Sequence, residues 1–173
     1  SYTRMEVQKT FDAIVVTPLS LRQVVLGEIL WATTKGCFTA VIMMIVFLFA
    51  GLISHPFAIF VLILCLVEGI LFSALGMLMT SIAKSYDFFS AYLTLFISPM
   101  FLLSGTFFPL KELPSWAKTV AWFLPLTHAV NGSRELFAGR ISLSLLFSFI
   151  WLAVVTVLLT FFAVKKMEKR LIV

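Results

Sequence analysis

The sequence predicts an all-α membrane protein: four transmembrane helices, a cytoplasmic amphipathic helix ahead of them, and a mixed external segment before the last. Three observations carry this. Of 173 residues, 61% are hydrophobic and 12% charged, about half the charged share of an ordinary soluble domain. Uncharged apolar runs long enough to cross a hydrocarbon core of about 30 Å recur along the chain. Most of the 13 Lys and Arg residues flank those runs, where basic residues mark the cytoplasmic side of a membrane. The net charge of +5 is therefore a matter of topology and does not suggest a nucleic-acid partner.

Residues 4–17 come first. Val7, Phe11, Ile14 and Val15 fall on one helical face, with Glu6, Gln8, Lys9 and Asp12 elsewhere. This is a short amphipathic helix at the membrane surface, ended by Thr17-Pro18. Read from its pattern alone, it serves equally as an anchor or as a docking element for a partner. Ser20 and Gln23 then form an S-x-x-Q capping box that opens the helix leading into the first span.

The spans are placed at 36–53, 57–82, 88–108 and 141–164. Trp31 and Lys35 precede the first as interface anchors. Ser54-His55-Pro56 is a tight turn, and Ala83 to Asp87 a short polar link. Pro99 predicts a kink in the third span. Residues 109–140 hold two short helices. Ser115 is the expected N-cap of the first, which Pro125 ends, and Gly139 closes the second. Residues 165–173 form a basic tail. Placing the start of the chain in the cytoplasm puts Arg4, Lys9, Arg22, Lys84, Lys165, Lys166, Lys169 and Arg170 inside, in keeping with the positive-inside rule. Both ends are then cytoplasmic.

Four stretches, in order, resemble one family. They are RMEVQKTFDAIVVTPLSLRQVVLGEILWATTK, LGMLMTSIAKSYDFF, SPMFLLSGTFFPLKELP and AWFLPLTHAVNGSRELFAG. Together they are similar to ABC-2 type exporter permeases, in particular the branch of the nodulation-factor export and daunorubicin-resistance permeases. The resemblance covers essentially the whole chain. It implies a six-span permease of which this chain is the C-terminal two-thirds, which accounts for the absence of an initiator Met. It also implies that 4–17 is the coupling helix, seated in a cleft of an ABC ATP-binding subunit, with Glu6, Lys9, Phe11, Asp12 and Ile14 as contact residues. Residues 109–140 would be the external re-entrant helix pair that closes the exit, with Trp116, Trp122, His128, Asn131, Arg134 and Glu135 in it. The expected assembly is a homodimer in the bacterial inner membrane, in contact with lipid. No cofactor is expected in this chain; ATP and Mg would bind the partner subunit. No GxxxxGK[ST] loop occurs in the sequence.

Other residues have competing readings. Glu68 lies mid-span among apolar and small residues, where a carboxylate is expensive. It either lines a pathway or is a neutral acid bonded to a neighbouring helix, and the second reading is slightly favoured. Lys35 as its partner is disfavoured by a depth difference of roughly 8 Å at about 1.5 Å per residue. Gly69, Ser73, Gly76 and Thr80 share one face and read as helix packing, within the subunit or between copies. His128, Asn131 and Glu135 also share a face. An enzyme would use them for acid–base chemistry; the plainer reading is a polar helix face meeting water or headgroups. A metal site needs more His or Cys than the chain has. Cys37 and Cys65 read as buried free thiols.

The function expected is the membrane-spanning subunit of an ATP-driven exporter of an amphiphile: a lipo-oligosaccharide, a polysaccharide-lipid or a hydrophobic drug. The alternatives are an integral membrane enzyme at the outer surface and an ATP-independent carrier that uses Glu68.

Overall fold

The computed structural model describes residues 20–53, 55–83, 86–107, 110 and 113–171. The amphipathic stretch 4–17, with Glu6, Lys9, Phe11, Asp12 and Ile14, lies outside the described residues.

Ser20 opens the first helix, α1 (Leu21–Phe49), in extended backbone geometry. Its N–H donates to Gln23 Oε1 at 2.9 Å, the return arm of the capping box. Because the cap sits at Ser20, α1 has 29 residues, about 44 Å at ~1.5 Å per residue, and begins well before residue 36. Gly51, at φ 68°, turns the chain out of the helix. A 3-10 turn, Pro56–Phe60, leads into α2 (Val61–Ile82).

The region predicted as the third span is helical from α3 (Tyr86–Tyr92) through a π segment, Leu93–Ile97, to α4 (Ser98–Leu103). Pro99 lacks an N–H and crowds the carbonyl four residues back. The helix answers by widening rather than breaking: the N–H and the Oγ of Ser98 both donate to Leu93 O, five residues back. The apolar helical stretch here runs from Asp87 to Leu103, whereas Arg22–Phe49, Pro56–Ile82 and Leu143–Lys169 are, among the described residues, the three helices long and apolar enough to cross a membrane.

The mixed segment forms α5 (Ser115–Phe123) and α6 (Pro125–Phe137), and α7 runs over Leu143–Leu171. Ser115 was expected to cap α5. It is instead the first helical residue, and Pro114, at ψ 157°, makes the turn. The fixed φ of proline suits that step without a side-chain cap. All described elements are helical.

α2 is the hub. Toward one end Val25, Ile29, Ala74, Met77, Ala163 and Met167 join α1, α2 and α7. Toward the other, Val61, Leu64 and Leu71 of α2 meet Ala129 and Leu136 of α6 and Leu145 and Leu152 of α7. The small-residue face divides. A Cβ on Gly69 would lie 3.2 Å from Thr33 Cγ2, so Gly69 sets the approach of α1, while Gly76 faces open space.

Gly139 ends α6 at φ 68°, and a Cβ there would come within 2.6 Å of His55 Cγ. Gly51 has the same φ of 68° but nothing near it. Gly51→Ala should therefore carry only the left-handed backbone penalty, roughly 1–2 kcal/mol. Gly139→Ala should add the displacement of His55, about 1–3 kcal/mol more. Thermal unfolding in detergent, followed by circular dichroism, should rank Gly139→Ala clearly below Gly51→Ala.

Candidate functional site

A group of polar residues, His128, Arg134 and Glu135 among them, lies at the end of the bundle where α1 finishes and α2 and α7 begin. α6 lies there against both. Gly132 makes this approach: a Cβ would meet Leu64 Cδ1 at 3.0 Å and Leu145 Cδ1 at 3.4 Å. The closeness carries the polar residues of α6 toward α7 and α5 rather than into surrounding water.

His128 shows the result. The sequence reading placed it on a wet helix face, but it is 5% exposed. Its ring stacks on Trp151, with centroids 4.6 Å apart, and lies near Trp122 and Phe147. Nε2 is 2.8 Å from Trp122 O, and Nδ1 is 3.5 Å from Ser148 Oγ. A carbonyl can only accept, so Nε2 carries the proton and Nδ1 faces the Ser148 hydroxyl. One imidazole thereby ties α5, α6 and α7 together. The aromatic partners on α7 are twenty or so positions away, and periodicity within α6 carries no sign of them.

Arg134 reaches the other way. Its guanidinium donates to Gly105 O at 2.6 Å, tying α6 to the turn after α4. Glu135 accepts from the hydroxyls of Ser142 and Ser144, each at 2.5 Å, and so holds the entry to α7. His128, Arg134 and Glu135 are thus committed to three different structural bonds. All three nevertheless border one cavity.

Two cavities flank this arrangement and share Trp122, His128 and Asn131 as a wall. One, of about 320 Å³, is bounded by Arg134, Glu135, Ser144, Phe147 and Ser148. The other, of about 380 Å³, is bounded by Leu110, Lys118, Ala121 and Thr127. Thr127 is 3% exposed, and its Oγ1 has no hydrogen-bond partner among the described residues. Trp116 is exposed on α5.

Glu68 sits apart from these groups, within the bundle. It lies at i+4 from Leu64 and three before Leu71, both buried in the α2–α6–α7 cluster, so it shares their stripe of α2. Its Oε1 is buried without a partner among the described residues. Lys35 is not that partner, but the reason differs from the one expected. Thr33 abuts Gly69, which puts Lys35 and Glu68 at similar heights. Lys35 follows buried Thr33 by two positions, about 200° round the helix, and is exposed, with Nζ 5.0 Å from the Trp31 ring. Cys37 and Cys65 are free and half-buried.

Three membrane-length helices joined on a central one, with a helix pair packed across one end, define a polytopic integral membrane protein. The chain belongs to the ABC-2 type transporter family, whose match extends over residues 1–138. It is 32% identical over 172 residues to nodulation protein J of Sinorhizobium fredii, covering 99% of this chain and 66% of that protein. It is 37% identical over 140 residues to nodulation protein J of Rhizobium leguminosarum bv. trifolii, covering 81% of this chain and 53% of that protein. A probable multidrug ABC transporter permease of Escherichia coli is 25% identical over 153 residues, covering 87% of this chain and 41% of that protein. The chain thus spans about half to two-thirds of the length of the nodulation proteins it matches. No solved structure matches it.

Two outcomes are expected. His128→Ala removes a bond and an aromatic contact and leaves a cavity, and should lower stability by about 2–4 kcal/mol. The unfolding midpoint in detergent would report it. Glu68→Leu removes an orphaned buried oxygen, which costs about 1–3 kcal/mol where it has no partner, and should raise the same midpoint. A fall instead would mean that the carboxyl is bonded by a partner outside the described residues.

Proposed function

We propose that the chain is the membrane-spanning part of an ATP-driven exporter that moves an amphiphile outward across the bacterial inner membrane. Two copies pair, and each is driven by a separate ABC ATP-binding subunit that carries ATP and Mg. Family membership supports the transport role. The nodulation and multidrug permeases among its relatives favour an amphiphilic cargo. The observation that carries the reading is the contrast between the two ends of the bundle.

At one end α5 and α6 are bonded to α4 and α7 through Arg134, His128 and Glu135. This suits a segment that caps the exit, with Trp116, Trp122 and Asn131 among its residues. At the other end, α1 and α7 are joined by the Arg22–Glu168 pair at 2.7 Å, with Arg22 70% exposed. An exposed pair of this kind holds weakly and is screened by salt. It stands two residues after the cap at Ser20, so a movement delivered to the preceding stretch would reach α1 at its loosest attachment. In this reading residues 4–17 are the coupling helix, four crossings are made with the apolar stretch Asp87–Leu103 as one of them, and both ends of the chain are cytoplasmic. Glu68 enters as a packing group of the α2 seam, since its stripe faces α6 and α7.

The test is co-expression of the complete permease with its ATP-binding subunit, followed by co-purification in detergent. The pair should come through together. Phe11→Ala combined with Asp12→Lys should abolish the association while leaving the permease monodisperse. If the double variant binds equally well, 4–17 is only an anchor and the coupling assignment fails.

A further inference from the structure

We propose that Cys37 of α1 and Cys65 of α2 form a modification site: two thiols that face each other inside the membrane and that a lipid hydroperoxide closes reversibly into a disulfide. Both are free and half-buried. The register of the two helices brings them together. Thr33 abuts Gly69, where a Cβ would stand 3.6 Å from Thr33 Cα. Cys37 comes four residues after Thr33, and Cys65 four before Gly69, so in this antiparallel pair the cysteines share the next level toward α6. Farther along, Met44 and Ala58 border one cavity. They keep the same register, each seven residues beyond its cysteine. The two thiols thus lie between two levels at which the chain segments meet.

The faces agree with the register. Thr33, Cys37, Ala40, Met44 and Phe47 recur at alternating steps of four and three along α1 and are buried or half-buried, whereas Phe38, Val41, Ile42 and Leu48 stand exposed. That alternation is the seam by which one helix packs on another. On α2, Cys65 and Gly69 are one turn apart on one face. Cys65 is also within electrostatic reach of Cys37. Because Gly69 has no side chain, its Cα lies within about 5 Å of Thr33 Cα. A crossing of about 20° adds about 2 Å over the single turn to the cysteines. Their Cα atoms are then about 5–7 Å apart, which overlaps the span of about 4.4–6.8 Å over which a disulfide closes.

The surroundings set the kind of oxidant. Phe38 beside Cys37 and Leu66 beside Cys65 are 68% and 45% exposed, and in a membrane such residues meet lipid. The oxidant must dissolve there, as a lipid hydroperoxide does. Its O–O bond breaks as one sulfur takes an oxygen to become a sulfenic acid, and the alcohol leaves. The second thiol then displaces that oxygen as water. One S–S bond replaces two S–H bonds, the peroxide takes up two electrons, and the thiol hydrogens end in the alcohol and the water. A dithiol reductant reverses the step. The link would staple α1 to α2 on the α6 side of the Thr33–Gly69 contact and leave the foot of α1 unlinked. This site is independent of the transport reading, and its test needs no ATP-binding subunit.

The complete protein in lipid nanodiscs would be reduced with dithiothreitol, treated with cumene hydroperoxide, capped with N-ethylmaleimide, digested and mapped by mass spectrometry. The peptides holding Cys37 and Cys65 should be recovered joined and lighter by two hydrogens, and dithiothreitol should part them. Oxidation should raise the unfolding midpoint by about 5 °C or more, as a cross-link closing a loop of this length does. Cys37→Ser should abolish that rise and leave Cys65 as a sulfenic acid that dimedone captures. Maleimide on both cysteines after oxidation, a sulfenic acid on one alone in the unsubstituted protein, or a disulfide joining two copies on a non-reducing gel overturns the proposal. Iodine, smaller and also lipid-soluble, tests the facing by itself. A link that iodine makes and the hydroperoxide does not overturns the choice of oxidant; no link with either overturns the facing. The peptide map of the unsubstituted protein decides the matter even if Cys37→Ser fails to fold.

Discussion

The close approach at Gly132 is the constraint on which the α6 end of the structure depends. α6 is a polar helix that must rest on two apolar ones, and the resting point is a position with no side chain. A Cβ there would stand 3.0 Å from Leu64 Cδ1 of α2 and 3.4 Å from Leu145 Cδ1 of α7. Everything else α6 does follows from being that close. His128, one turn before Gly132, comes within stacking distance of Trp151. Arg134, two residues after it, reaches the Gly105 carbonyl, and Glu135 reaches the two serines ahead of α7. A helix held a few ångströms farther out would leave those three groups in water. The helix pair would then be a tethered appendage and not part of the bundle.

Parts of this were legible in the sequence because their causes are local. The Ser20–Gln23 box and the glycine after α6 act within a few residues of themselves, and both stand where the pattern put them. Pro99 was legible as a disturbance but not in its form. Whether a helix breaks or widens depends on how the freed carbonyls are answered, and here Ser98 answers Leu93 twice. Ser115 failed as a cap because Pro114 could make the turn unaided. His128 was the least legible. A histidine among polar residues on one face reads as a wet position, and only α7, folding back over it, supplies the aromatic walls. Nor could spacing show that Lys35 and Glu68 stand level but on different sides of α1.

Within the apolar helices, polar side chains are mostly spent on their own helix. Thr33, Thr34, Thr39, Thr80, Thr94 and Thr156 each donate to the carbonyl four residues back. In hydrocarbon such a bond satisfies the hydroxyl without a partner helix. These threonines therefore add little polarity to the bundle, and a hydropathy count that penalises them overstates it. Glu68 has no such recourse. It shares a stripe with Leu64 and Leu71, which pack against α6 and α7, and its Oε1 finds no partner among the described residues.

The distribution of bonds also bears on how such a bundle can move. Of the contacts to α6, those of buried His128 are shielded from solvent, so breaking one leaves a donor or acceptor unpaired at a cost of about 1–3 kcal/mol, while the Glu135–serine bonds stand exposed. The contact between the feet of α1 and α7 is an ion pair with Arg22 largely exposed, and water replaces it at little cost. Below the level where Thr33 meets Gly69, the helices keep a narrow apolar seam of Val25, Ile29, Ala74, Met77, Ala163 and Met167. A seam of this kind can slide by small amounts without stranding polar groups, because dispersion contacts are non-directional while hydrogen bonds are not. Displacement is therefore cheapest at the foot of α1 and dearest at α6.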